Sequence, residues 1–328
     1  MDPAVERWLQ RRTYDPTDYP LERLQAAKRE SVSVVIPAKE CAETLPGVLT
    51  PLLILRDHGI VDELLVVDAG SEDGTIEVCA QLGVPVVQED ALLAQFGPAQ
   101  GKGDAMWRGL SATSGEIVAF VDGDSTGIRP GFVRGLLGPL LCHQELALVK
   151  GAFARPFQPG RGAAPIPDGG GRVTELMARP LINLHVPELA GFVQPLAGEV
   201  AARRDLLEEL AFPVGYGVEI AMLIDALRAV GLDRLAQARL GVRQNRHQPL
   251  RDLGLMAYAI LVTTERRLGR APQAGPYLVP DGGERRLVLD ERPPLATIGP
   301  LARRAESVRW PASPPTATAP SSSADRSR

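Results

Sequence analysis

Cysteine is scarce in this chain, aromatic residues make up only 5% of it, and no long apolar run occurs. The three cysteines, Cys41, Cys79 and Cys142, are far apart, odd in number and without metal-ligand spacing. That excludes a disulfide-stapled scaffold and reads as reduced thiols, with Cys79 and Cys142 expected in the core. No segment reaches 18 consecutive apolar residues and the N-terminus is charged. Neither a membrane span nor a leader is therefore expected, and the cytoplasm is the expected compartment. The formal net charge is only −4, which argues against field-driven binding to nucleic acid or membrane. At 328 residues, the chain is long enough for a sizeable core.

What is present concentrates at strand ends. Glu116 to Ser125 reads Glu-Ile-Val-Ala-Phe-Val-Asp-Gly-Asp-Ser. Ile117 to Val121 form a short buried-strand pattern, followed by two carboxylates one residue apart, Asp122 and Asp124. Hard oxygen ligands at the carboxyl end of a strand suit a divalent cation that also holds a phosphate. Acidic turns after strands are common, so the pair alone is a weak signal. Its company strengthens it. Ser31 to Glu40 is a second β-branched run, expected to end at Pro37. Leu64 to Val67 is a third, leading through Asp68-Ala-Gly-Ser-Glu-Asp-Gly-Thr75 into a helix capped by Ser71 or Asp73. Val84 to Val87 is a fourth, and Gly101-Lys-Gly103 opens a helix over about 104–113.

Strands alternating with helices predict an α/β fold with a mostly parallel, doubly wound sheet. Residues 1–30 read as an arginine-rich helical arm whose Trp8 and Leu9 dock on the body or on a partner. Residues 31–150 form the nucleotide half, and 151–300 a largely helical acceptor-binding and dimerisation region. Within the latter, 154–171 is a Pro/Gly-rich functional loop, with helices expected at 173–184, 219–230 and 250–268. The tail at 311–328 is dominated by Pro, Ser, Thr and Ala and is expected to be disordered.

The Pro37-Ala38-Lys39-Glu40 strand end, the Asp68–Thr75 turn, the Gly101-Lys102-Gly103 loop and the Asp122-Gly123-Asp124 pair resemble a GT-A glycosyltransferase. Gly169-Gly-Gly-Arg-Val-Thr-Glu-Leu176, Gln194-Pro-Leu-Ala-Gly-Glu199, Gly215-Tyr-Gly-Val-Glu-Ile220 and Leu240-Gly-Val-Arg243 narrow the resemblance. They are similar to the glucosyl-3-phosphoglycerate and mannosyl-3-phosphoglycerate synthases, with motifs in order from about residue 21 to 267. The resemblance implies a homodimeric retaining enzyme that moves a hexose from a nucleoside diphosphate to 3-phosphoglycerate, for compatible-solute or related polysaccharide synthesis.

By the same resemblance, Pro37, Ala38, Lys39, Glu40, Asp68, Ala69, Asp122 and Gly123 bind the donor. Asp124 ligates Mg²⁺ or Mn²⁺, the Leu196 carbonyl lies beneath the anomeric carbon, Tyr216 and Glu219 hold sugar hydroxyls, and Arg243 counters the diphosphate. Lys102, between two glycines, reads as a phosphate or sugar contact, against a solvated helix start. Gly171, Arg172 and Thr174 open a helix after a glycine run, a ready anion site for the acceptor, against a plain flexible turn. The sequence departs from the family at Cys41, where an acidic base or ribose contact is expected, which leaves that contact to Glu40 or to backbone. Asn245 stands where the family has a metal-ligating histidine, and a histidine, His247, follows two residues later. Either completes the metal site. His247 and Gln248 also replace an acceptor-binding asparagine and arginine. These departures favour GDP-mannose as donor, with GDP-glucose or UDP-glucose possible. A nucleotidyltransferase would share the fold but needs a glycine-rich loop after its first strand. A non-catalytic module would not need Asp124, Lys102, Arg172 and Glu219 together.

Overall fold

A computed structural model describes residues 2–157, 164, 166, 169–243, 249–272, 275–278 and 283–299. The strands up to residue 242 are β1 (Thr13–Tyr14), β2 (Val32–Ala38), β3 (Glu63–Asp68), β4 (Val86–Gln88), β5 (Ile117–Phe120), β6 (Leu148–Ala154), β7 (Val200–Arg203), β8 (Phe212–Pro213) and β9 (Leu235–Val242). All but β8 form one sheet in the order β1-β9-β6-β7-β5-β2-β3-β4. Every pairing in it is parallel except those of β7, which runs against both β5 and β6. The expected α/β architecture is what forms.

Alternation along each strand divides the core. Val34 and Ile36 of β2 and Ala119 of β5 face one apolar layer, while Val35, Val118 and Phe120 face the other. The first layer takes α3 (Leu45–Asp57) and α6 (Pro130–Cys142). The second takes α5 (Lys102–Ser111) and α9 (Val218–Val230). With both faces covered, the central strands are predominantly apolar, as is common for parallel strands.

Some expectations shift. Pro37 does not end β2, which continues to Ala38 paired with Asp68. The Pro37 carbonyl accepts from the Gly123 N–H, so its missing donor faces the β5 side, just past the last paired residues Val35 and Phe120. The helix at Thr75–Gln81 is capped by Gly74 in a left-handed conformation. Asp73 accepts from the Thr75 N–H and Ser71 turns to Asp68 instead. The helix expected at 173–184 splits into a π-turn, Thr174–Ala178, and a helix, Arg179–His185, because Pro180 cannot donate into the ladder. Cys41 and Cys79 are buried, whereas Cys142 is only partly so. Trp8 docks on the body: its indole donates to the Leu235 carbonyl at 2.8 Å and its ring lies 4.5 Å from Phe192. The arm's own β1 extends the sheet beside β9. The tail at 311–328, with Asn245, His247 and Gln248, lies outside the described residues.

Helix α5 is pressed against β8 at its second residue. A Cβ on Gly103 would overlap the Pro213 carbonyl and crowd Val218. We expect Gly103→Ala to destabilise the fold by about 1–3 kcal/mol, since a backbone carbonyl cannot rotate away, despite alanine's better helix propensity. Denaturant unfolding at unchanged slope reads this as a lower midpoint. An equal or higher midpoint would show that α5 is not held this tightly.

Candidate active site

In an open α/β sheet the carboxyl ends of the parallel strands carry the ligand site. Here β2 delivers Ala38 and Lys39, β5 delivers Asp122 to Asp124, β6 delivers Arg155, and β9 delivers Arg243. Because β7 runs the other way, its start reaches the same edge, bringing Leu196 to Glu199 under the aspartates. These elements line a cleft of about 700 Å³.

Its floor is a charge network. Lys102 Nζ lies 2.7 Å from Asp122 and 2.8 Å from Glu219. Arg243 Nη2 donates to Asp122 at 3.0 Å and to Ser125 at 2.6 Å, and the guanidinium also pairs with Glu199. Burial disfavours the Asp122 carboxylate, yet Lys102 and Arg243 outweigh it and hold its pKa far below the usual range. Burial likewise opposes the Lys102 ammonium, and Asp122 and Glu219 reverse that, keeping it protonated. Glu199 is raised by burial against the pull of Arg243.

Asp124 stands apart. Half of its side chain is exposed and its ion pair with Arg243 is long, at 3.8 Å. It is therefore free to ligate a cation, while Asp122 is engaged by two cationic side chains and would reach one through water. No group of three His, Cys, Asp or Glu side chains that could hold a metal occurs among the described residues. A single carboxylate supplemented by diphosphate oxygens and water fits Mg²⁺ or Mn²⁺, which keep several non-protein ligands.

Pro37, Ala38, Lys39, Ala69, Lys102, Asp122, Gly123, Asp124, Leu196, Tyr216, Glu219 and Arg243 all line the cleft, as do Gly171, Arg172 and Thr174. Two residues read as donor contacts do not. Asp68 is buried and accepts from Ser71 and Gln88. Glu40 sits at φ 52° and its carboxylate accepts from the Glu72 N–H, latching two loops together. Arg243, expected to counter a diphosphate, lines the cleft, is buried and pairs with Asp122 and Glu199, so it also braces the aspartate. Lys102 is neither solvated nor isolated.

Sequence reasoning missed Glu199, Arg155, Lys150 and Glu89. Lys150, fully enclosed on β6 with no partner for Nζ among the described residues, is pushed down to about 8 by burial. Glu89 lines the cleft and is pushed up to about 7 by burial and then by Asp104. A charged residue inside an otherwise apolar strand, as in Leu148-Val-Lys150, was the available signal.

A largely parallel sheet with a strand-end aspartate pair over an apolar and cationic cleft defines a GT-A glycosyltransferase. Residues 33–158 match the glycosyl transferase family 2 model. The glucosyl-3-phosphoglycerate synthase of Mycolicibacterium paratuberculosis is 41% identical over 90% of this chain and 93% of its own. Among solved structures, mannosyl-3-phosphoglycerate synthase from Rubrobacter xylanophilus is 42% identical, with TM-score 0.80, covering 89% of this chain and 99% of that one. Glucosyl-3-phosphoglycerate synthase from Mycobacterium tuberculosis, solved with Mn²⁺, UDP-glucose and phosphoglyceric acid, is 41% identical. Its TM-score is 0.77, covering 85% of this chain and 95% of that one. This chain belongs to the glucosyl-3-phosphoglycerate and mannosyl-3-phosphoglycerate synthase family, and it is a hexosyltransferase.

Proposed function

We propose that the chain transfers glucose from UDP-glucose to the single hydroxyl of 3-phosphoglycerate, with retention at the anomeric carbon. The arrangement that carries this reading is the open Asp124 beside the Lys102–Asp122–Glu219 network, facing the Gly171–Thr174 anion cradle across one cleft. UDP-glucose replaces the GDP-mannose favoured from sequence. The near-full-length curated relatives are glucosyl enzymes, and the Mycobacterium tuberculosis complex holds UDP-glucose. The departure at Cys41 is a weak counter-argument, since this buried thiol, its pKa raised first by burial, stays neutral and donates to the Lys39 carbonyl.

In this reaction the C1–oxygen bond to the diphosphate breaks and a bond from C1 to the acceptor oxygen forms on the same face. The departing phosphate oxygen takes the hydroxyl proton. An ammonium has three N–H groups, and Lys102 commits two to Asp122 and Glu219, leaving one for the diphosphate or the sugar. Glu219 and Tyr216 orient sugar hydroxyls, and the Leu196 carbonyl stands under the anomeric carbon. Asp124 would hold a divalent cation whose bound form neutralises the leaving group as a Lewis acid.

The test is nucleoside diphosphate release from UDP-glucose, GDP-glucose and GDP-mannose, with Mg²⁺ or Mn²⁺, in the presence and absence of 3-phosphoglycerate. UDP-glucose should be fastest and its use should depend on the acceptor. Preference for GDP-mannose would restore the mannosyl reading. Release of pyrophosphate from a nucleoside triphosphate would point to a nucleotidyltransferase.

A further inference from the structure

We propose that Arg155 binds the carboxylate of the acceptor, leaving the phosphate to Arg172 and the helix start at Thr174. This rests on the reading that 3-phosphoglycerate is the acceptor. That molecule carries two anionic groups flanking one hydroxyl-bearing carbon, so a site built for it needs two cationic points.

The structure places Arg155 in the same cradle as the acceptor loop. Its carbonyl accepts from the Gly170 N–H at 2.8 Å, fastening the glycine run to the end of β6. A Cβ built on Gly171 would lie 3.7 Å from Arg155 Cδ and 3.8 Å from Thr174 Oγ1, so the arginine stem and the threonine hydroxyl border one spot. Gly171 adopts φ +69°, a conformation that glycine takes without strain. Arg155 lines the cleft, yet no carboxylate pairs with it among the described residues, and its Nε is buried without a partner. Arg243, by contrast, has Asp122 and Glu199. Burial, and then the charge of Arg243, lower the pKa of Arg155, which is the signature of a cation short of an anion.

Position assigns the two anions. Arg155 and Arg243 lie over the same Phe153 ring, at 5.2 and 5.4 Å, and Arg243 pairs with Asp122, which puts Arg155 beside the aspartate network. Arg172 lies over Phe157, further along the chain from the strand end. In the acceptor, the carboxylate is bonded directly to the hydroxyl-bearing carbon and the phosphate sits one carbon further out. The inner arginine therefore meets the carboxylate, and a guanidinium fork suits it.

Glycerol 3-phosphate keeps the phosphate and lacks the carboxylate, so it separates the two roles. In Arg155→Met, the KM for 3-phosphoglycerate should rise at least about tenfold while the inhibition constant of glycerol 3-phosphate stays within about twofold. UDP-glucose affinity by calorimetry should be unchanged, and Arg155→Lys should recover part of the loss. Arg172→Met should weaken both acceptors together. Equal weakening of both by Arg155→Met, or an unchanged KM, overturns the assignment. Loss of donor affinity would hand Arg155 to the diphosphate and overturn it too. A wild-type protein that neither binds nor glycosylates 3-phosphoglycerate removes the functional reading, and this assignment with it.

Discussion

Asp124→Ala is expected to lower turnover at least about 10²-fold while leaving the fold intact, because it removes the one open carboxylate at the point where leaving-group charge develops. The variant should fold because the Asp124 side chain is 52% exposed and its contact with Arg243 is long. Turnover at saturating Mn²⁺ and the thermal midpoint are the two measurements. A folded variant with near-normal turnover would end the assignment of Asp124 to the metal. Asp122→Ala should behave differently. It strips Lys102 and Arg243 of a shared partner in a buried setting, so both stability and turnover are expected to fall.

Gly198→Ala should cost as much although it removes no charged residue. The antiparallel register that pairs Phe120 with Val200 carries on past both strands and sets Gly198 against Asp122. A methyl group there would overlap the Asp122 carboxylate and the Lys102 ammonium. Both would have to move, and a displacement of about an ångström at reacting groups can cost roughly 10²-fold. The measurement is turnover of Gly198→Ala beside Gly198→Ser, in a protein shown to be folded by its circular dichroism. Wild-type turnover in both would mean that the network does not depend on this close approach.

Much of this architecture was legible in the residues because parallel strands buried on both faces advertise themselves as short β-branched runs, as at 32–36, 64–67 and 117–121. The acidic pair, Lys102 and Glu219 were legible because charged or glycine-flanked residues next to such runs have few structural reasons to be there. Apart from Lys150, what escaped had no local signature. The strands Leu148–Ala154 and Val200–Arg203 contain lysine, glycine, alanine and arginine, and only their sheet neighbours make them strands. Glu199 and Gly198 reach the site through the reversed direction of β7, which no periodicity records. The bracing role of Arg243 escaped for a similar reason. Its charge was visible, but its burial between Asp122 and Glu199 is a tertiary fact.

The charge network beneath the cleft has a consequence for the economy of the whole fold. Glu199, Glu219 and Arg243 are withdrawn from water when the chain folds, and Lys102 and Asp122 in large part, before any substrate arrives. Dehydrating such groups is unfavourable, and their mutual attraction offsets only part of it. The substrates thus meet dipoles and charges already fixed in place, with little solvent left to rearrange, and the strain of holding them there falls on the hydrophobic layers either side of the sheet. The largely apolar packing on both faces of β2, β3 and β5 is the counterweight that lets so polar a floor persist.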